Sequence, residues 1–416
     1  MCGIAGIAKF NGQEVFEQEL APMNDALSHR GPDGQGIKIV GNAGLAHRRL
    51  SIIDLESGAQ PMCNEDGSIW ISFNGEIYNF REIRKYLISK GHIFKTNSDT
   101  EAIIHLYEEL GEECPSKLNG MFAFAILDTR KKKIFLARDR LGQKPLFYFC
   151  DSAKFAFASE LQALMKLPGI PRDIDFQSFH DYLSLQYVPS PKTIYHSIFK
   201  LLPAHTITVD IENCKINFSR YWKCRYDNKR NLSFESAKEE LRYLVEDSVR
   251  LRMISDVPIG AFLSGGLDSS IICALMSKLS NQPIRTFTIG FEETIYDERI
   301  PARNVSAKFK TSHNEKIVNP KDFAVVEMLV KHYGEPYSDS SMLPTYMLSK
   351  FARENVKVAL SGDGADEIFT GYYRYLVMKY ANFADAIPLP LRKAISEILL
   401  SLLKKGESER TISGKL

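Results

Sequence analysis

The stretch Met1-Cys2-Gly3-Ile4-Ala5-Gly6-Ile7 opens the chain, and its cysteine decides which fold we expect. Removal of Met1 would place a thiol and a free α-amine together on Cys2. A thiol attacks only as its thiolate, and an α-amine with a pKa of about 8 can accept the thiol proton near neutral pH. Cys2 would then be both nucleophile and general base, as in some catalytic-triad variants. A small residue after Met1 is also an ordinary occurrence, so the hypothesis depends on the rest of the chain.

The composition around this start is that of a globular protein with two domains. The chain has 416 residues, of which 44% are hydrophobic and 25% charged, and its net charge of +2 gives no bulk attraction to nucleic acid. Seven cysteines without a Cys-x-x-Cys pair favour reduced thiols in a cytoplasmic protein. The first ten residues do not resemble a signal peptide, and the apolar stretch 395–403 is too short and too polar to insert in a membrane.

The first part of the chain predicts an α+β domain. Short apolar runs read as strands, and two amphipathic segments read as helices that each end at a glycine. The predicted strands include 69–73, 123–127 and 147–149, and the predicted helices are 80–90 and 100–110. Strands and helices in this arrangement favour layered sheets covered by helices.

The second part predicts a different architecture, a doubly wound parallel sheet of the α/β class. Short buried strands alternate there with helices, as in such sheets. The predicted strands are 259–263, 286–291 and 356–360, and the predicted helices are 269–279 and 343–354, preceded by an apolar helical register from Ala237 to Leu251. A polar segment separates the two parts, so we divide the chain into a domain at 1–219, a linker at 220–234 and a domain at 235–416.

A phosphate-binding loop is predicted at Ser264-Gly265-Gly266-Leu267-Asp268-Ser269-Ser270, between an apolar strand and a helix. Glycines let an anion approach the backbone, and the N–H groups at the helix start bind phosphate. Asp268 is suited to hold Mg²⁺. Because no Gly-Lys-Ser/Thr follows, the loop differs from a Walker A motif and fits cleavage of ATP between its α and β phosphates. The alternative is a Ser/Gly turn that only caps the helix.

A second polar loop, Ser361-Gly362-Asp363-Gly364-Ala365-Asp366-Glu367, also follows a predicted strand. Loops at the carboxyl ends of neighbouring parallel strands would face one crevice. Acidic side chains there would suit Mg²⁺ and the charge that develops at an attacked phosphate. An acidic glycine turn without a ligand is the alternative.

These motifs together resemble the glutamine-dependent asparagine synthetase family of the bacterial type, and they run from Cys2 to about Tyr373. The first half is similar to the class II amidotransferase domain, an N-terminal-nucleophile sandwich of layered antiparallel sheets. The second half is similar to the PP-loop ATP pyrophosphatase domain, here C-terminally short. The resemblance implies that glutamine is hydrolysed through a Cys2 thioester and that ammonia crosses an internal channel to a β-aspartyl-adenylate. The products would be asparagine, glutamate, AMP and pyrophosphate.

The resemblance also implies a glutamine site. Asn74, through its side-chain NH₂, and Gly75, through its backbone N–H, would form the oxyanion hole. The alternative for this pair is a hairpin turn. Arg49 would bind the α-carboxylate, and Glu76 and Asp99 the α-ammonium, with a helix N-cap as the alternative role of Asp99. The implied glutamine-binding set is Arg49, Leu50, Ser51, Ile52, Ile53, Asn74, Gly75, Glu76 and Asp99.

The loop from His29 to Gly34 would close over bound glutamine and exclude water. His29 is not needed as a general base, since the α-amine of Cys2 can have that role. In the second half, the stretch 334–341 would line the synthetase site. Family members commonly form homodimers, which is the partner expectation beyond the substrates glutamine and aspartate.

ATP and Mg²⁺ are the implied cofactors of the second half. Asp363 stands where the family often has Glu, a residue implicated in forming the adenylate, and it keeps the charge one methylene shorter. Mg²⁺ would bind to Asp268 and Asp366. The implied ATP-binding set is Leu263, Ser264, Gly265, Gly266, Asp268, Ser269, Ser270, Ile289, Ser361 and Gly362.

One departure from the family leaves alternatives open. Family members usually continue beyond the Ser361 loop into a long helical segment that supplies a lysine and part of the acceptor pocket, whereas little sequence follows Tyr373 here. The acceptor could be another carboxylate, such as a sugar acid in surface polysaccharide synthesis. Alternatively, the chain is a glutaminase or nucleotide-binding subunit without full synthetase activity. The presence of Cys2 argues against the β-lactam synthetases, which usually lack it.

Overall fold

The computed structural model describes residues 1–227, 229–292, 297–318, 325–385 and 387–405. Contacts between residues divide the chain into two compact units, Met1–Leu360 and Ser361–Leu416. The first unit contains all three sheets. The second contains three helices, α11 (Ala365–Phe369), α12 (Tyr373–Asp385) and α13 (Leu389–Lys405).

The first sheet is antiparallel and has six strands. Its central strand begins one residue after Cys2. The strands are β1 (Gly3–Lys9), β2 (Gly34–Val40), β3 (Ala43–Arg49), β8 (Phe147–Cys150), β9 (Lys154–Ala158) and β10 (Ile198–Lys200), in the spatial order β10-β8-β9-β1-β3-β2. Gly3 pairs with Arg48, so the end of β3 lies beside the start of β1.

The second sheet is also antiparallel with six strands. Its strands are β4 (Met62–Cys63), β5 (Ile69–Ile77), β6 (Gly120–Asp128), β7 (Lys133–Arg138), β11 (His205–Asp210) and β12 (Lys215–Arg220), in the order β12-β11-β7-β6-β5-β4. The strands predicted at 69–73, 123–127 and 147–149 are confirmed as parts of β5, β6 and β8.

Helices cover the outer faces of the two sheets and complete a four-layer sandwich. They are α1 (Glu17–Asp25), α2 (Phe80–Ser89), α3 (Asp99–Leu110) and α4 (Leu161–Leu164). A further helix, α5 (Phe176–Leu185), is largely exposed. Strand β6 shows why the layers stack: Phe124 and Ile126 pack with α2 and α3, whereas Ala125 and Leu127 face the first sheet. Because successive side chains alternate, one strand serves two cores. Its small alanines let the two sheets approach each other.

The third sheet is parallel, as the alternating pattern predicts. Its strands are β13 (Ile259–Phe262), β14 (Arg285–Gly290), β15 (Ser312–Ile317) and β16 (Val358–Leu360). The accompanying helices are α6 (Phe234–Arg252), α7 (Leu267–Leu279), α8 (Arg299–Phe309), α9 (Val326–Tyr333) and α10 (Met342–Arg353). The spatial order is β15-β14-β13-β16, so the chain adds β14 and β15 on one side of β13 and β16 on the other. Doubly wound sheets usually bind ligands at such a switch point, here between β13 and β16.

The structure also tests the expectations for the cysteines and for the apolar face of α6. All seven cysteines are free thiols, as their spacing predicts. The apolar register of α6 is only partly buried, because Val249 packs in the core while Leu241 and Leu244 are exposed. Within the described part of the chain, every helix is too short or too polar to cross a membrane.

Candidate functional site

Cys2 lies at the head of β1, where the backbone of β3 ends against it. The Leu50 N–H donates to Cys2 Sγ over 3.3 Å, and the thiol lies 3.7 Å from the Leu50 carbonyl oxygen. Arg30 Nε donates to the Cys2 carbonyl oxygen over 2.8 Å. The pairing of β1 with β3 therefore fixes the backbone on both sides of the thiol.

The environment of the chain start favours neutral groups. Burial raises the pKa of the Cys2 thiol. Burial also lowers the pKa of the Met1 α-amine to about 5, with the charges of Arg30 and Lys144 acting in the same direction. The Met1 amine is therefore mostly uncharged at neutral pH. A neutral amine can accept a proton, which is what the thiol must lose before it attacks.

Asn74 and Gly75 lie inside β5, where they pair with Ala123 and Phe122 of β6. The alternative of a hairpin turn at Asn74-Gly75 is therefore wrong, because the strand continues to Ile77 and the Asn-Gly signal for a turn is overruled by pairing with β6. A side chain at residue 75 would place its Cβ 2.1 Å from the Met121 carbonyl oxygen, so only glycine fits.

The side chain of Asn74 is buried and lacks a hydrogen-bond partner for both Nδ2 and Oδ1 among the described residues. Burying such a group without partners costs about 1–3 kcal/mol, so natural structures seldom contain one without a use. On the same face of β5, the Ser72 hydroxyl donates to the Ala46 carbonyl oxygen of β3 over 2.9 Å. Asn74 therefore points into the space between the two sheets, as a donor for an oxyanion must.

Glu76, also on this face, and Asp99 form a buried pair of carboxyl groups. Burial and, to a smaller extent, the charge of Asp99 raise the pKa of Glu76 to about 7. Burial raises the pKa of Asp99 to about 6, although its Oδ2 accepts a hydrogen bond from the Ile77 N–H over 2.9 Å. Two buried acids that resist ionisation together are suited to receive a cation such as an α-ammonium.

Ser98, and not Asp99, is the N-cap of α3, since its hydroxyl accepts from the Thr100 N–H over 3.1 Å. The N-cap alternative for Asp99 is therefore wrong. Asp99 is the first residue of the helix, which begins one position earlier than the predicted 100–110. Its carboxylate is left to face Ile77 and the site.

Arg49 ends β3 and holds the segment that follows it. Its guanidinium donates to the carbonyl oxygens of Ile53 over 3.3 Å and of Leu55 over 3.1 Å, and also to that of Asp54. The remainder of the predicted glutamine-binding segment is tied at two further points. The Ser51 N–H donates to Asp33 Oδ2 over 2.9 Å, and the Ile52 carbonyl accepts from the Asp256 N–H over 3.0 Å.

Three residues near the thiol were missed by the sequence analysis: Lys144, Asp139 and Glu160. Lys144 is buried, its Nζ lies 3.1 Å from Met1 Sδ, and its charge acts on Glu76. Fully buried Asp139 accepts from the Gln143 and Lys144 N–H groups and so shapes the turn that carries Lys144. In the sequence, a charged run between two apolar strands was the signal that could have pointed to Asp139 and Lys144.

Glu160 fixes the side chain that holds Cys2. Its carboxylate lies 2.7 Å from Arg30 Nη1 and 3.1 Å from His29 Nε2. Since Arg30 Nε binds the Cys2 carbonyl oxygen, Glu160 orients the nucleophile through Arg30. His29 is thereby placed at the rim of the site beside Glu160, consistent with its not being the general base.

The Ser264 loop lies between β13 and α7, as predicted. Gly266 is the N-cap of α7, and its N–H donates to the Ser264 hydroxyl oxygen over 3.2 Å. The hydroxyls of Ser264 and Ser269 are 2.9 Å apart, and that of Ser270 donates to the Gly266 carbonyl oxygen over 2.6 Å. Half-buried Asp268 is in the first turn of α7. Before any ligand binds, the loop is thus held by its own hydroxyl groups.

Gly265 has a conformation that only glycine adopts easily, with φ +81°. A Cβ there would lie 2.6 Å from the Ala302 nitrogen of α8. Leu263 is bound on both backbone groups: its N–H donates to Phe287, and its carbonyl oxygen accepts from the Thr288 hydroxyl. Ile289 lies on β14 and packs against a separate apolar cluster that contains Val318 and Leu329.

The acidic loop is in the second unit and is ordered by its own contacts. The Ser361 hydroxyl donates to Asp363 Oδ2 over 2.8 Å, and the Ala365 N–H donates to the Gly362 carbonyl oxygen over 3.3 Å. Gly371 packs so closely on Asp366 that a Cβ there would lie 1.9 Å from Asp366 Oδ1. Gly371 thus leaves room for the Asp366 carboxylate in its present position.

The stretch 334–341 packs against the N-terminal half. Lys200 Nζ lies 2.6 Å from Glu335 Oε1, and both side chains are largely buried. Glu335 Oε2 also accepts from the Ile194 N–H over 3.3 Å, and the Ser338 N–H donates to the Gln186 carbonyl oxygen over 2.9 Å. This stretch thus joins the antiparallel sandwich to the part of the chain that contains the parallel sheet.

The comparisons with known proteins agree with both parts. Residues 1–222 match the glutamine amidotransferase domain, and residues 240–415 match asparagine synthase. A putative glutamine-hydrolysing asparagine synthetase 2 from Methanocaldococcus jannaschii is 39% identical, over 98% of this chain and 84% of that protein. Glutamine-hydrolysing asparagine synthetase 1 from Bacillus subtilis is 37% identical over 96% of this chain, which spans 63% of that protein. The family resemblance is therefore confirmed: the chain belongs to the glutamine-hydrolysing asparagine synthetase family of ligases.

Proposed function

We propose that this protein transfers the amide nitrogen of glutamine to a carboxylate, with aspartate as the acceptor and ATP as the energy source. The observation that carries the glutamine half is the side-chain amide of Asn74, which is buried between the two antiparallel sheets without a hydrogen-bond partner among the described residues. Cys2 lies at the start of the first of these sheets. The names of the relatives and the family match of residues 240–415 support the synthetase half. We further propose that the two activities divide at the linker 220–234.

In the proposed glutaminase step, the neutral α-amine of Cys2 accepts the thiol proton and the thiolate attacks the side-chain amide of glutamine. Asn74 Nδ2 and the Gly75 N–H donate to the oxyanion, a contribution of about 3 kcal/mol for one such donor. The amine returns the proton to the leaving ammonia, and a thioester remains on Cys2. Water then releases glutamate.

The proposed glutamine contacts follow from charge. Glu76 and Asp99 receive the α-ammonium, whose charge allows both acids to ionise. Arg49 binds the α-carboxylate, and for this its guanidinium gives up some of its hydrogen bonds to the carbonyl oxygens of the following loop. The backbone of Leu50 to Ile53 lines the site beside the thiol. The His29 to Gly34 loop excludes water.

In the proposed synthetase step, the Ser264 loop binds the phosphates of ATP and the backbone near Leu263 and Ile289 holds the adenine. Ser361 and Gly362 add nucleotide contacts, and Asp363 acts in forming the aspartyl-adenylate. Mg²⁺, when bound, offsets phosphate charge. Carboxylate oxygens are its preferred protein ligands, so the half-buried side chains of Asp268 and Asp366 fit it chemically. We propose these two residues as its ligands.

One incubation tests the whole proposal. The protein is given glutamine and Mg-ATP with and without aspartate, and glutamate, AMP, pyrophosphate and asparagine are measured. Aspartate-dependent AMP in equal amount to asparagine is expected, with glutamate lost in Cys2→Ala. Glutamate without AMP would contradict the synthetase half and favour the alternative of a glutaminase or nucleotide-binding subunit. AMP formed only with another acid, such as a sugar acid, would contradict aspartate as the acceptor.

A further inference from the structure

Two histidines and a glutamate meet where α9 reaches the rim of the glutaminase half. His332, at the end of α9, lies edge-on to His29, with ring centroids 4.3 Å apart and planes at 71°. A carboxylate oxygen of Glu160 lies 3.1 Å from His29 Nε2. One ligand atom from each of the three side chains lies within 4.8 Å of the other two. We name these three residues the His29 cluster.

We propose that the His29 cluster binds one divalent transition-metal ion of the Zn²⁺ type and so joins the two halves of the chain. Two imidazoles with one carboxylate are a common ligand set for such ions, with further positions left for water. Bonds of about 2.0–2.2 Å to nitrogen and oxygen place tetrahedral ligand atoms roughly 3.4 Å apart. The present separations, all within 4.8 Å, are wider than this, and both histidines can move to close them, since the side chain of His29 is 38% exposed and His332 is exposed.

The carboxylate of the cluster already has a cationic neighbour, since Arg30 Nη1 lies 2.7 Å from Glu160 Oε1. Arg30 competes with the metal for Glu160, which limits the affinity.

A second group, formed by Glu65, His92 and His105, has similar spacing but holds a proton instead of offering a free ligand atom. His105 Nδ1 lies 2.7 Å from Glu108, and Nε2 lies 3.8 Å from Glu101. Burial opposes its charge, but these two carboxylates raise the pKa of His105 to about 9. A proton therefore already fills that group at neutral pH, and a metal would have to displace it.

A metal in the His29 cluster would also act on the nucleophile. Glu160 holds Arg30, and Arg30 Nε donates to the Cys2 carbonyl oxygen over 2.8 Å. An ion that draws Glu160 towards the two histidines weakens this support and ties the His29 loop to α9. We therefore expect a bound metal to slow glutamine hydrolysis. This consequence rests on the proposed glutaminase activity, whereas the binding itself does not.

The binding test uses the full chain in a Cys2→Ala background, which removes the N-terminal thiol as a competing zinc ligand. Equilibrium dialysis with Zn²⁺ and the visible absorption of bound Co²⁺ measure stoichiometry and ligand type. His332→Gln is expected to lose one ion per chain at micromolar metal. His180→Gln, a substitution at a histidine whose side chain is 75% exposed, is the matched control and should lose none. Equal binding by His332→Gln and the parent, with equal melting temperatures, would overturn the proposal.

Two further measurements keep the outcomes separate. Loss of the ion in His92→Gln instead of His332→Gln would also overturn the proposal, since it would place the metal in the other group. With Cys2 present, Zn²⁺ should inhibit glutamate release at least tenfold less strongly in His332→Gln than in the unchanged chain, with equal rates before metal is added. Equal inhibition would refute the link to the nucleophile. Absence of any glutamine turnover would refute the proposed function and leave the binding result standing.

Discussion

Lys357 Nζ lies 2.8 Å from Asp33 Oδ2, so a lysine next to the last strand of the parallel sheet holds an aspartate of the glutamine loop. The same carboxylate oxygen accepts the Ser51 N–H over 2.9 Å. Burial raises the pKa of Asp33, but Lys357 and Ser51 outweigh this effect and lower it. One ion pair thus connects the synthetase half to the segment that we expect to bind glutamine.

Lys357→Met should therefore weaken glutamine binding more than it weakens the fold. Both side chains are about one quarter exposed, and such pairs stabilise a protein by about 0.2–1 kcal/mol. We expect KM for glutamine to rise about two- to fivefold with kcat little changed. Steady-state glutamate release measures this. Lys331→Met, which removes an exposed pair within α9, is the control, and an equal rise in KM for both variants would contradict the prediction.

Asn74→Ala should cost activity without costing stability. Its amide is buried without a hydrogen-bond partner among the described residues, so removing it relieves a desolvation penalty. Loss of an oxyanion donor, in contrast, lowers kcat by about 10²–10³. Asn64→Ala is the opposite case. Its buried side chain accepts from the Ser68 and Ile69 N–H groups and donates to Glu108, so removal should lower the free energy of unfolding by about 1–3 kcal/mol.

Glutamate release and urea unfolding, measured on both asparagine variants, check this pair of predictions. A loss of stability in Asn74→Ala as large as that in Asn64→Ala would show that its amide has a structural partner. Unchanged kcat in Asn74→Ala would show that another group stabilises the oxyanion.

Glu76 should make the protein less stable as the pH rises. Its pKa is raised from 4.5 to about 7, mainly by burial. The folded state therefore holds this proton more tightly than the unfolded state, so stability falls from about pH 4.5 to about pH 7 and then levels. The melting temperature of the unchanged chain should drop across this window relative to that of Glu76→Gln. Glu82→Gln, on the exposed face of α2, is the control. Parallel curves for all three proteins would contradict the assignment.

Gly265→Ala should disturb the phosphate loop, whereas Gly266→Ala should be tolerated. At residue 265 the backbone has φ +81° and a Cβ would lie 2.6 Å from the Ala302 nitrogen. Such strain costs about 1–3 kcal/mol. At residue 266, φ is −65° and the nearest atom is the Ser264 hydroxyl oxygen at 3.3 Å. Calorimetric titration with ATP should show at least about tenfold weaker binding for Gly265→Ala. Equal affinities of the two variants would contradict the role of this loop.

The sequence was a good guide wherever a local pattern has one physical meaning. The short apolar run 123–127 predicts a strand, and a strand, a glycine loop and a helix in succession predict the Ser264 loop. The same kind of local signal failed at Asn74-Gly75, where a favourable turn pair is held inside β5 by its pairing with β6. Local preference is worth less than a full row of strand hydrogen bonds.

The sequence by itself determined the fold classes, the family and the residue types of both sites, because periodicity and motif order are properties of neighbouring residues. Only the tertiary structure decided which charges meet across long separations. Glu160 orients Arg30 from 130 residues away, Lys357 holds Asp33 from 324 residues away, and His332 reaches His29. Such contacts depend on how the sandwich and the parallel sheet pack together. Packing on that scale is set by the whole core, and no short stretch of sequence encodes it.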